Sequence, residues 1–253
     1  MDKATTLEVR LEIAKRVRSA TQKLSREVSA LSFAAPVTHV YNPLAYAKRS
    51  HDEYIERYAH TKKRVVFLGM NPGPWGMSQT GIPFGEVSWV RDWLKIESPV
   101  GKPKNPHPKR PVTGFACTRS EVSGSRVWSN IAEHYKTPKR FFAKHYIANY
   151  CPLVFMEEGG RNRTPDKLTK DERTQLFEIC DRHLARLVHV LEPKWVIGIG
   201  AFAKKRAEEA LGTNGPQIAS ILHPSPANPR ANADWSGIVQ QQLSDLGLCK
   251  CTK

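Results

Sequence analysis

The apolar run Arg64-Val-Val-Phe-Leu68 leads directly into the segment Gly69-Met-Asn-Pro-Gly-Pro-Trp-Gly-Met-Ser-Gln-Thr-Gly-Ile-Pro-Phe-Gly85. A short run of branched and aromatic residues is typical of a buried strand, and a segment rich in glycine and proline is typical of a stiff loop. The loop presents one amide side chain, Asn71, and one aromatic ring, Phe84. This pattern favours a functional loop over a simple connection between two elements.

A second apolar run, Ile218-Ala-Ser-Ile-Leu222, stops at His223-Pro-Ser-Pro226 near the other end of the chain. Because proline has no backbone N–H, the two prolines favour a stiff loop rather than a continued strand. Two strands that end in polar-tipped loops predict one site at one edge of one sheet.

Strands and helices alternate along the chain. Apolar residues spaced three and four apart predict helices, and the pattern Thr169-x-x-Glu172 resembles a capping box at the start of one of them. The predicted helices are 6–32, 86–96, 126–136, 169–191, 201–211 and 234–246, and the predicted strands are 65–68, 146–150, 195–199 and 218–222. The segments 97–125 and 157–168 are rich in glycine, proline and basic residues and are predicted to be long loops.

This alternation predicts a three-layer α/β/α sandwich around a central four-stranded, mainly parallel sheet. The length of 253 residues suits a single domain over 1–253, with an N-terminal amphipathic helix within 1–35 packed on it. Ligands of such sheets bind beyond the carboxyl ends of the strands. Asn71, Asn149, Gly200 and His223 follow those four ends, and no Asp or Glu is among them.

The charge of the chain favours a polyanionic partner. Lys and Arg total 39 against 24 Asp and Glu, which gives a formal charge of +15. A basic excess favours nucleic acid before a membrane surface, with a solvated basic surface as the alternative. Basic residues concentrate at 102–110 and 161–170. No run of 18 apolar residues predicts a membrane span, and the N-terminal residues show no apolar signal core, so we expect no export.

The five cysteines, at positions 117, 151, 180, 249 and 251, are scattered and odd in number. This pattern argues against a disulfide framework and against a zinc or iron–sulfur site. We therefore expect no metal and a reducing compartment, which is the cytoplasm around the nucleoid in a bacterium or the nucleus in a eukaryote.

Two sequence patterns bear on nucleotide binding. Gly198-x-Gly200-x-x-Ala203 matches the dinucleotide fingerprint, but His223 stands where an acidic residue is expected at the end of the next strand. Close packing of strand on helix, or a backbone contact with phosphate, explains these glycines as well. No phosphate-loop motif is present, so a nucleotidase of that kind is not expected.

Each candidate residue also has a plain structural explanation: Phe84 as a core residue, Asn149 as a satisfied buried amide, Asn71 as a turn residue. Together they suit a planar heterocycle. Phe84 would stack on a base, Asn149 would pair with a base edge, and Asn71 would orient a water. His223 would donate to an oxygen that gains negative charge, and the basic surface would hold a sugar–phosphate backbone.

The chain resembles the single-strand-selective monofunctional uracil-DNA glycosylase family of the uracil-DNA glycosylase superfamily. The resemblance runs from about Leu31 to Leu248. It rests on five motifs in the right order: Gly69–Gly85, His107-Pro-Lys-Arg-Pro111, Ser120-Glu-Val-Ser-Gly124, Asn149-Tyr-Cys-Pro-Leu153 and Leu222-His-Pro-Ser-Pro226.

The resemblance implies a uracil-DNA glycosylase-like fold and a base-excision repair enzyme. Such an enzyme hydrolyses the N-glycosidic bond of uracil in DNA, and the family also removes 5-substituted uracils such as 5-hydroxymethyluracil and, in some members, xanthine. Carried over by position, Asn71 and His223 are catalytic, and the residues that bind the base are Met70, Gly73, Phe84 and Asn149.

The resemblance also implies a DNA-binding loop made of Pro224, Ser225 and Pro226 with the residues that follow. The family carries an arginine next, used as a wedge into the duplex, whereas this chain has Ala227 there and Arg230 three residues later. Either Arg230 acts as the wedge in place of that arginine, or the protein favours single strands and base pairs that are already weakened.

No lysine is placed in the pocket to form a Schiff base, so a monofunctional enzyme without strand cleavage, cofactor or metal is expected. The expected partner is DNA, and the expected state is a monomer. The rival hypothesis is a non-catalytic protein that binds single-stranded nucleic acid through basic and aromatic residues.

Overall fold

The computed structural model describes residues 3–249, with side chains from residue 7 onward; Cys251 and the N-terminal Met1 and Asp2 lie outside this range. Its seven strands are β1 (Val37–Tyr41), β2 (Val65–Gly69), β3 (His145–Asn149), β4 (Val154–Glu157), β5 (Asn162–Arg163), β6 (Trp195–Ile199) and β7 (Gln217–Ile221).

Four of these strands form the predicted central sheet, in the order β3-β2-β6-β7. All three neighbouring pairs are parallel. The four predicted strands coincide with the observed ones to within one residue. Because the strands are parallel, their carboxyl ends share one edge of the sheet.

The nine α-helices of the described residues are α1 (Lys3–Ser29), α2 (Pro43–Tyr46), α3 (Lys48–Tyr58), α4 (Met77–Thr80), α5 (Val122–Tyr135), α6 (Pro138–Phe142), α7 (Lys170–Leu191), α8 (Ala201–Leu211) and α9 (Pro229–Asp245). Helices α5 and α9 face Phe67, Ile147, Ile199 and Ile221 on one side of the sheet, while α1 and α7 face Tyr146 and Ala148 on the other. The predicted three-layer sandwich is confirmed. None of these helices has the length and apolarity that crossing a bilayer requires.

Local chemistry explains where two of the helices begin and end. The capping box predicted at Thr169 is present, since its side chain and that of Glu172 each accept a backbone N–H of the other residue. Helix α8 packs closely on β6 at Gly198, where an added Cβ would lie 2.8 Å from Lys204 Cα. Close packing therefore accounts for the first glycine of the apparent dinucleotide fingerprint.

The helix predicted at 86–96 is wrong in length and type. A short π-helix, Trp89–Trp93, takes its place. Its first turn is held by the Glu86 carboxylate, which accepts the Trp89 N–H at 3.2 Å, and the chain leaves it through Lys95 at φ 58°. The wider turn carries a five-residue hydrogen bond, from Leu94 N–H to the Trp89 carbonyl at 3.0 Å.

Two other helices begin earlier than predicted. Helix α5 begins at Val122 rather than Arg126, because the Glu121 carboxylate caps it by accepting the N–H groups of Ser123 and Gly124. Helix α9 begins at Pro229 rather than Asp234, behind the cap Asn228, and Asp234 is a non-helical kink within it.

A second sheet was not predicted. Strand β4 lies between β1 and β5, and both pairs are antiparallel. Strands β4 and β5 form a hairpin within part of the predicted loop 157–168, and the turn of this hairpin includes Gly160 at φ 82°. The hairpin matters for the site because it ends beside the carboxyl edge of the central sheet.

Candidate active site

The three polar residues predicted at the strand ends converge at the carboxyl edge of the central sheet. Asn71 and His223 each stand two residues beyond a strand, and Asn149 is the last residue of β3. One cavity of about 340 Å³ lies between them. The predicted residues that line it are Met70, Asn71, Gly73, Phe84, Asn149, His223 and Ser225.

Four residues of the predicted DNA-binding loop do not line the cavity. Pro224 is buried, whereas Pro226, Ala227 and Arg230 are exposed. Pro226 and Ala227 follow Ser225, which lines the cavity, and Arg230 lies in the first turn of α9. The fourth strand end, Gly200, lies behind the imidazole, since an added Cβ there would be 3.2 Å from His223 Cβ.

The Asn71 amide is held in one orientation. Its nitrogen donates to the carbonyl of Leu153 at 3.1 Å and to that of Pro72 at 3.3 Å. Because the nitrogen is occupied, the side-chain oxygen is the atom left to accept a hydrogen bond from a water or a ligand.

Phe84 is held in a left-handed backbone conformation, with φ 54°. Such a conformation is uncommon for an aromatic residue and is maintained only where its surroundings enforce it. Here the Phe84 carbonyl accepts the N–H of Glu86 at 2.8 Å and the indole N–H of Trp128 at 3.0 Å. The ring is half-buried and forms part of the cavity wall.

Asn149 and Phe84 meet above Gly69. A Cβ added at Gly69 would lie 2.7 Å from Phe84 Cε2 and closer still to Asn149 Oδ1. Among the described residues, the side-chain nitrogen of Asn149 has only a weak acceptor, the sulfur of Met77 at 3.3 Å. An aromatic face and an amide edge therefore stand side by side, which suits a flat ring with polar substituents.

The protonation of His223 follows from its contacts. Its Nδ1 accepts the backbone N–H of Ser225 at 3.1 Å, so the proton of the neutral ring is on Nε2. Burial lowers the pKa of His223 below its ordinary value. The site therefore holds a neutral imidazole with one N–H to donate.

Three side chains from α5 and α9 hold the loop that carries His223. The carbonyl of Leu222 accepts the indole N–H of Trp235 at 2.8 Å, that of Pro224 accepts Arg126 Nη1 at 2.9 Å, and that of Pro226 accepts Asn232 Nδ2 at 2.8 Å. Arg126 also donates to Asn232 Oδ1 at 2.9 Å. We call Arg126, Asn232 and Trp235 the loop clamp.

Comparison with known proteins shows which superfamily has this geometry. The model of the uracil DNA glycosylase superfamily matches residues 56–243. The chain belongs to the uracil-DNA glycosylase superfamily. Two similar proteins are the single-strand selective monofunctional uracil DNA glycosylases of Mus musculus and Bos taurus. Each is 46% identical over 228 residues, which cover 89% of this chain and 82% and 84% of those proteins.

A solved structure, SMUG2 of Pedobacter heparinus, shares the uracil-DNA glycosylase superfamily fold with this chain. It has a TM-score of 0.65 at 17% identity, and the match covers 90% of this chain and 97% of that one. The predicted family and the predicted fold are both confirmed.

Eight residues of this superfamily member line the cavity but were not predicted as site residues: Pro72, Pro74, Gly76, Met77, Glu121, Ser123, Asn162 and Thr164. Glu121 had a usable signal, because a carboxylate just before a helix is a common cap. Asn162 and Thr164 had none, since they belong to the hairpin that sequence patterns did not reveal.

Glu121 brings a carboxyl group to a site where none was expected. Burial raises the pKa of this carboxyl, and the N–H groups of Gly124 and Ser123 oppose that rise. Both carboxyl oxygens accept those two N–H groups. Its observed task is therefore to cap α5. Within residues 3–249, no three His, Cys, Asp or Glu side chains cluster in a way that would hold a metal ion.

Proposed function

We propose that this protein is a monofunctional DNA glycosylase that hydrolyses the N-glycosidic bond of uracil in DNA and so initiates base-excision repair. The observation that carries the proposal is the meeting of Asn71 and His223 across one cavity with Phe84 and Asn149. The names of the 46%-identical relatives, which are uracil glycosylases, support it.

A base inside a duplex is out of reach of such a cavity, so the target nucleotide must first leave the stack. The flipped uracil would stack on Phe84 and pair its polar edge with Asn149. An amide suits this task because it both donates and accepts. The weak contact of its nitrogen with Met77 is lost at little cost when the base arrives.

The chemical step would depend mainly on stabilising the departing base. The C1′–N1 bond breaks with its electron pair on the base, and the sugar becomes oxocarbenium-like. His223 would donate Nε2–H to the uracil oxygen that gains negative charge, which is electrostatic stabilisation by a positioned donor. Asn71 would hold a water whose oxygen bonds to C1′ and whose proton is released to solvent.

Gly73 supports a substrate range that includes 5-substituted uracils such as 5-hydroxymethyluracil. No described residue comes within 4 Å of the position that a Cβ would take at this cavity-lining residue. A substituent on C5 of the base, or a water, would fit in that space. Xanthine, a deaminated purine, belongs in the same panel of test lesions.

We further propose activity on both single- and double-stranded DNA. Ala227, at the position of the expected wedge, is exposed and too short to enter a duplex, and Arg230 is exposed in the first turn of α9. Single strands and weakened pairs should therefore be preferred. Measuring uracil, 5-hydroxymethyluracil and xanthine in both strand contexts tests the substrate range and the strand preference together.

The decisive experiment uses a single-stranded oligonucleotide with one uracil, a chelator and no added cofactor, followed by hot alkali. We expect breaks at the uracil after alkali and none before it, because no Schiff base forms. Binding without alkali-labile sites would instead favour the rival non-catalytic binding protein.

We expect His223→Ala and Asn71→Ala each to lower the single-turnover cleavage rate by about a hundredfold or more. Losing one donor to a developing anion, as in His223→Ala, costs about 2.7–4 kcal/mol in comparable sites. Misplacing the attacking water by about 1 Å, as in Asn71→Ala, costs about a hundredfold. Near-normal cleavage by both variants would overturn the assigned roles even if the wild-type protein cleaves.

A further inference from the structure

A tryptophan lies at the rim of the cavity with two arginines over its ring. Trp75 stands between Pro74 and Gly76, which both line the cavity. The guanidinium carbons of Arg110 and Arg119 lie 5.4 Å and 4.8 Å from the centre of the Trp75 ring. The ring is only half-buried, so the apolar core does not account for it.

This corner of the molecule is held in place by one buried amide. Gln79 Nε2 donates to the carbonyls of Pro74 at 2.9 Å and Pro111 at 3.0 Å, and its Oε1 accepts the N–H of Thr113 at 2.9 Å. The side chain of Gln79 has no exposure. The loop of Trp75 and the loop of the arginines are therefore tied together before any ligand binds.

The two arginine side chains differ in how firmly hydrogen bonds hold them. Arg110 is anchored, because its Nε donates to the carbonyl of Gly160 at 2.9 Å and its own carbonyl accepts the Tyr41 hydroxyl at 2.8 Å. Arg119 is exposed, and within residues 3–249 its side chain makes no ion pair or hydrogen bond. Its guanidinium is available to an anion.

The loop that carries the two arginines is basic, and Glu121, which follows it, is engaged in capping α5. The stretch 102–119 contains five basic residues, Lys102, Lys104, Lys109, Arg110 and Arg119, and no acidic residue. Such a stretch attracts phosphates, while an aromatic ring among the charges offers a face to a base.

We propose that Trp75, Arg110 and Arg119 form a second nucleotide subsite, which stacks the base next to the flipped one and holds its phosphate. The inference rests on the proposed function, because it takes the cavity as the place of the flipped base. Arg119 would yield one face of the indole to the base and move to the phosphate, while Arg110 stays in place. Stacking of this kind is tolerant of sequence.

The subsite would favour single strands. The neighbour of a flipped base in a duplex stays paired and stacked in the helix, whereas the same base in a single strand is free to turn onto the protein. The strand preference would then come from a surface that captures an unpaired neighbour, in addition to the short side chain at Ala227.

The test measures binding of a single-stranded oligonucleotide that carries 2′-fluoro-2′-deoxyuridine, which resists cleavage. Two further probes replace the base on the 5′ or the 3′ side of the uracil by a tetrahydrofuran spacer. We expect the wild-type protein to lose about tenfold in affinity with one of the spacer probes, consistent with the loss of one stacked base. Trp75→Ala should lose about tenfold on the complete strand and show no further loss with either spacer.

Companion variants separate stacking from folding and from charge. Trp75→Phe keeps a ring and should restore affinity to within about threefold and restore the response to the spacer. Arg119→Ala should weaken binding about fivefold and reduce its salt dependence. Arg140→Ala removes an exposed arginine on α6, which precedes β3 at the opposite end of the sheet, and should bind as the wild type does.

The outcomes distinguish this subsite from the proposed activity. If the wild-type protein cleaves uracil but Trp75→Ala keeps both its affinity and the response to spacers, the subsite is wrong and the activity stands. If the wild-type protein leaves uracil intact, but loses affinity with one spacer probe while Trp75→Ala does not, the subsite is supported and the proposed activity is wrong.

Discussion

The two walls of the cavity are built in different ways. The wall that carries Phe84 and Asn149 rests on the backbone of Gly69 and on the buried indole of Trp128. The wall that carries His223 is a partly exposed loop, and three side-chain donors on α5 and α9 hold its carbonyls. We call the first wall, which is part of the core, the stiff wall. The second wall, which hydrogen bonds hold to the core, is called the fastened wall.

This difference matches the two tasks proposed for the walls. Recognition of a flat ring needs a slot of fixed width, which close packing provides. Stabilisation of the leaving base needs one donor at the right distance, which a loop held by a few hydrogen bonds can deliver. The stiff wall should therefore respond sharply to added volume, and the fastened wall should respond in steps as its hydrogen bonds are removed.

Among changes outside the two proposed catalytic side chains, the largest effect is expected from adding one methyl group to the stiff wall. In Gly69→Ala, the new Cβ overlaps Asn149 Oδ1 and the Phe84 ring, so both must move. Displacement of this kind by about 1 Å commonly costs about a hundredfold in rate, and overpacking costs about 1–3 kcal/mol of stability. Single-turnover cleavage and thermal unfolding measure the two effects.

A matched glycine supplies the control for that variant. Gly159, in the exposed turn before β5, has no atom of residues 3–249 within 4 Å of its Cβ position. Gly159→Ala should therefore cleave and unfold as the wild type does. Full activity in Gly69→Ala would show that the first wall is softer than its packing indicates.

Sequence patterns predicted the centre of the site for a definite physical reason. Asn71, Asn149 and His223 follow apolar runs, and the carboxyl ends of parallel strands share an edge, so their meeting followed from the strand predictions alone. Glu121 was missed because the start of α5 was placed four residues late. The role of a cap is local, but its position in the cavity depends on where the helix axis points.

Other parts of the structure have no pattern that sequence reasoning detects. Strand β5 has only two residues and β4 is buried without alternation, so neither shows a period of two. The loop clamp binds the loop of His223 through backbone carbonyls, and Arg126 lies 98 positions from the carbonyl of Pro224 that it holds. Carbonyls are present in every residue, and no residue type marks the ones that will be used.

An intermediate effect is expected from the fastened wall. Arg126→Ala removes the donor to Pro224 and the contact with Asn232, while Trp235 still holds Leu222. With part of the clamp left, we expect single-turnover cleavage to fall about tenfold, less than in His223→Ala. Asn232→Ala should fall less again, because it leaves the bond between Arg126 and Pro224 in place. If Arg126→Ala cleaves within twofold of the wild type, the clamp does not position His223.

The smallest effect is expected from a change of pH. The pH dependence distinguishes the two walls by whether their side chains ionise. Asn71, Phe84 and Asn149 do not ionise, whereas burial lowers the pKa of His223 below 6.5. The ring therefore stays neutral, and the single-turnover rate should change less than about twofold between pH 8 and 6.5. Below that range, protonation of Nδ1 breaks the hydrogen bond from Ser225, and the rate should fall.

Glu121 is the group to exclude as the source of that fall. Burial raises the pKa of its carboxyl above 4.5, so its ionisation moves toward the same acidic range. In Glu121→Gln the acid limb should persist, because the limb belongs to the imidazole, and a histidine titration followed by NMR should give His223 the same apparent pKa as the rate profile. A limb that disappears in Glu121→Gln would assign the pH dependence to the cap of α5 and thus to the recognition side of the cavity.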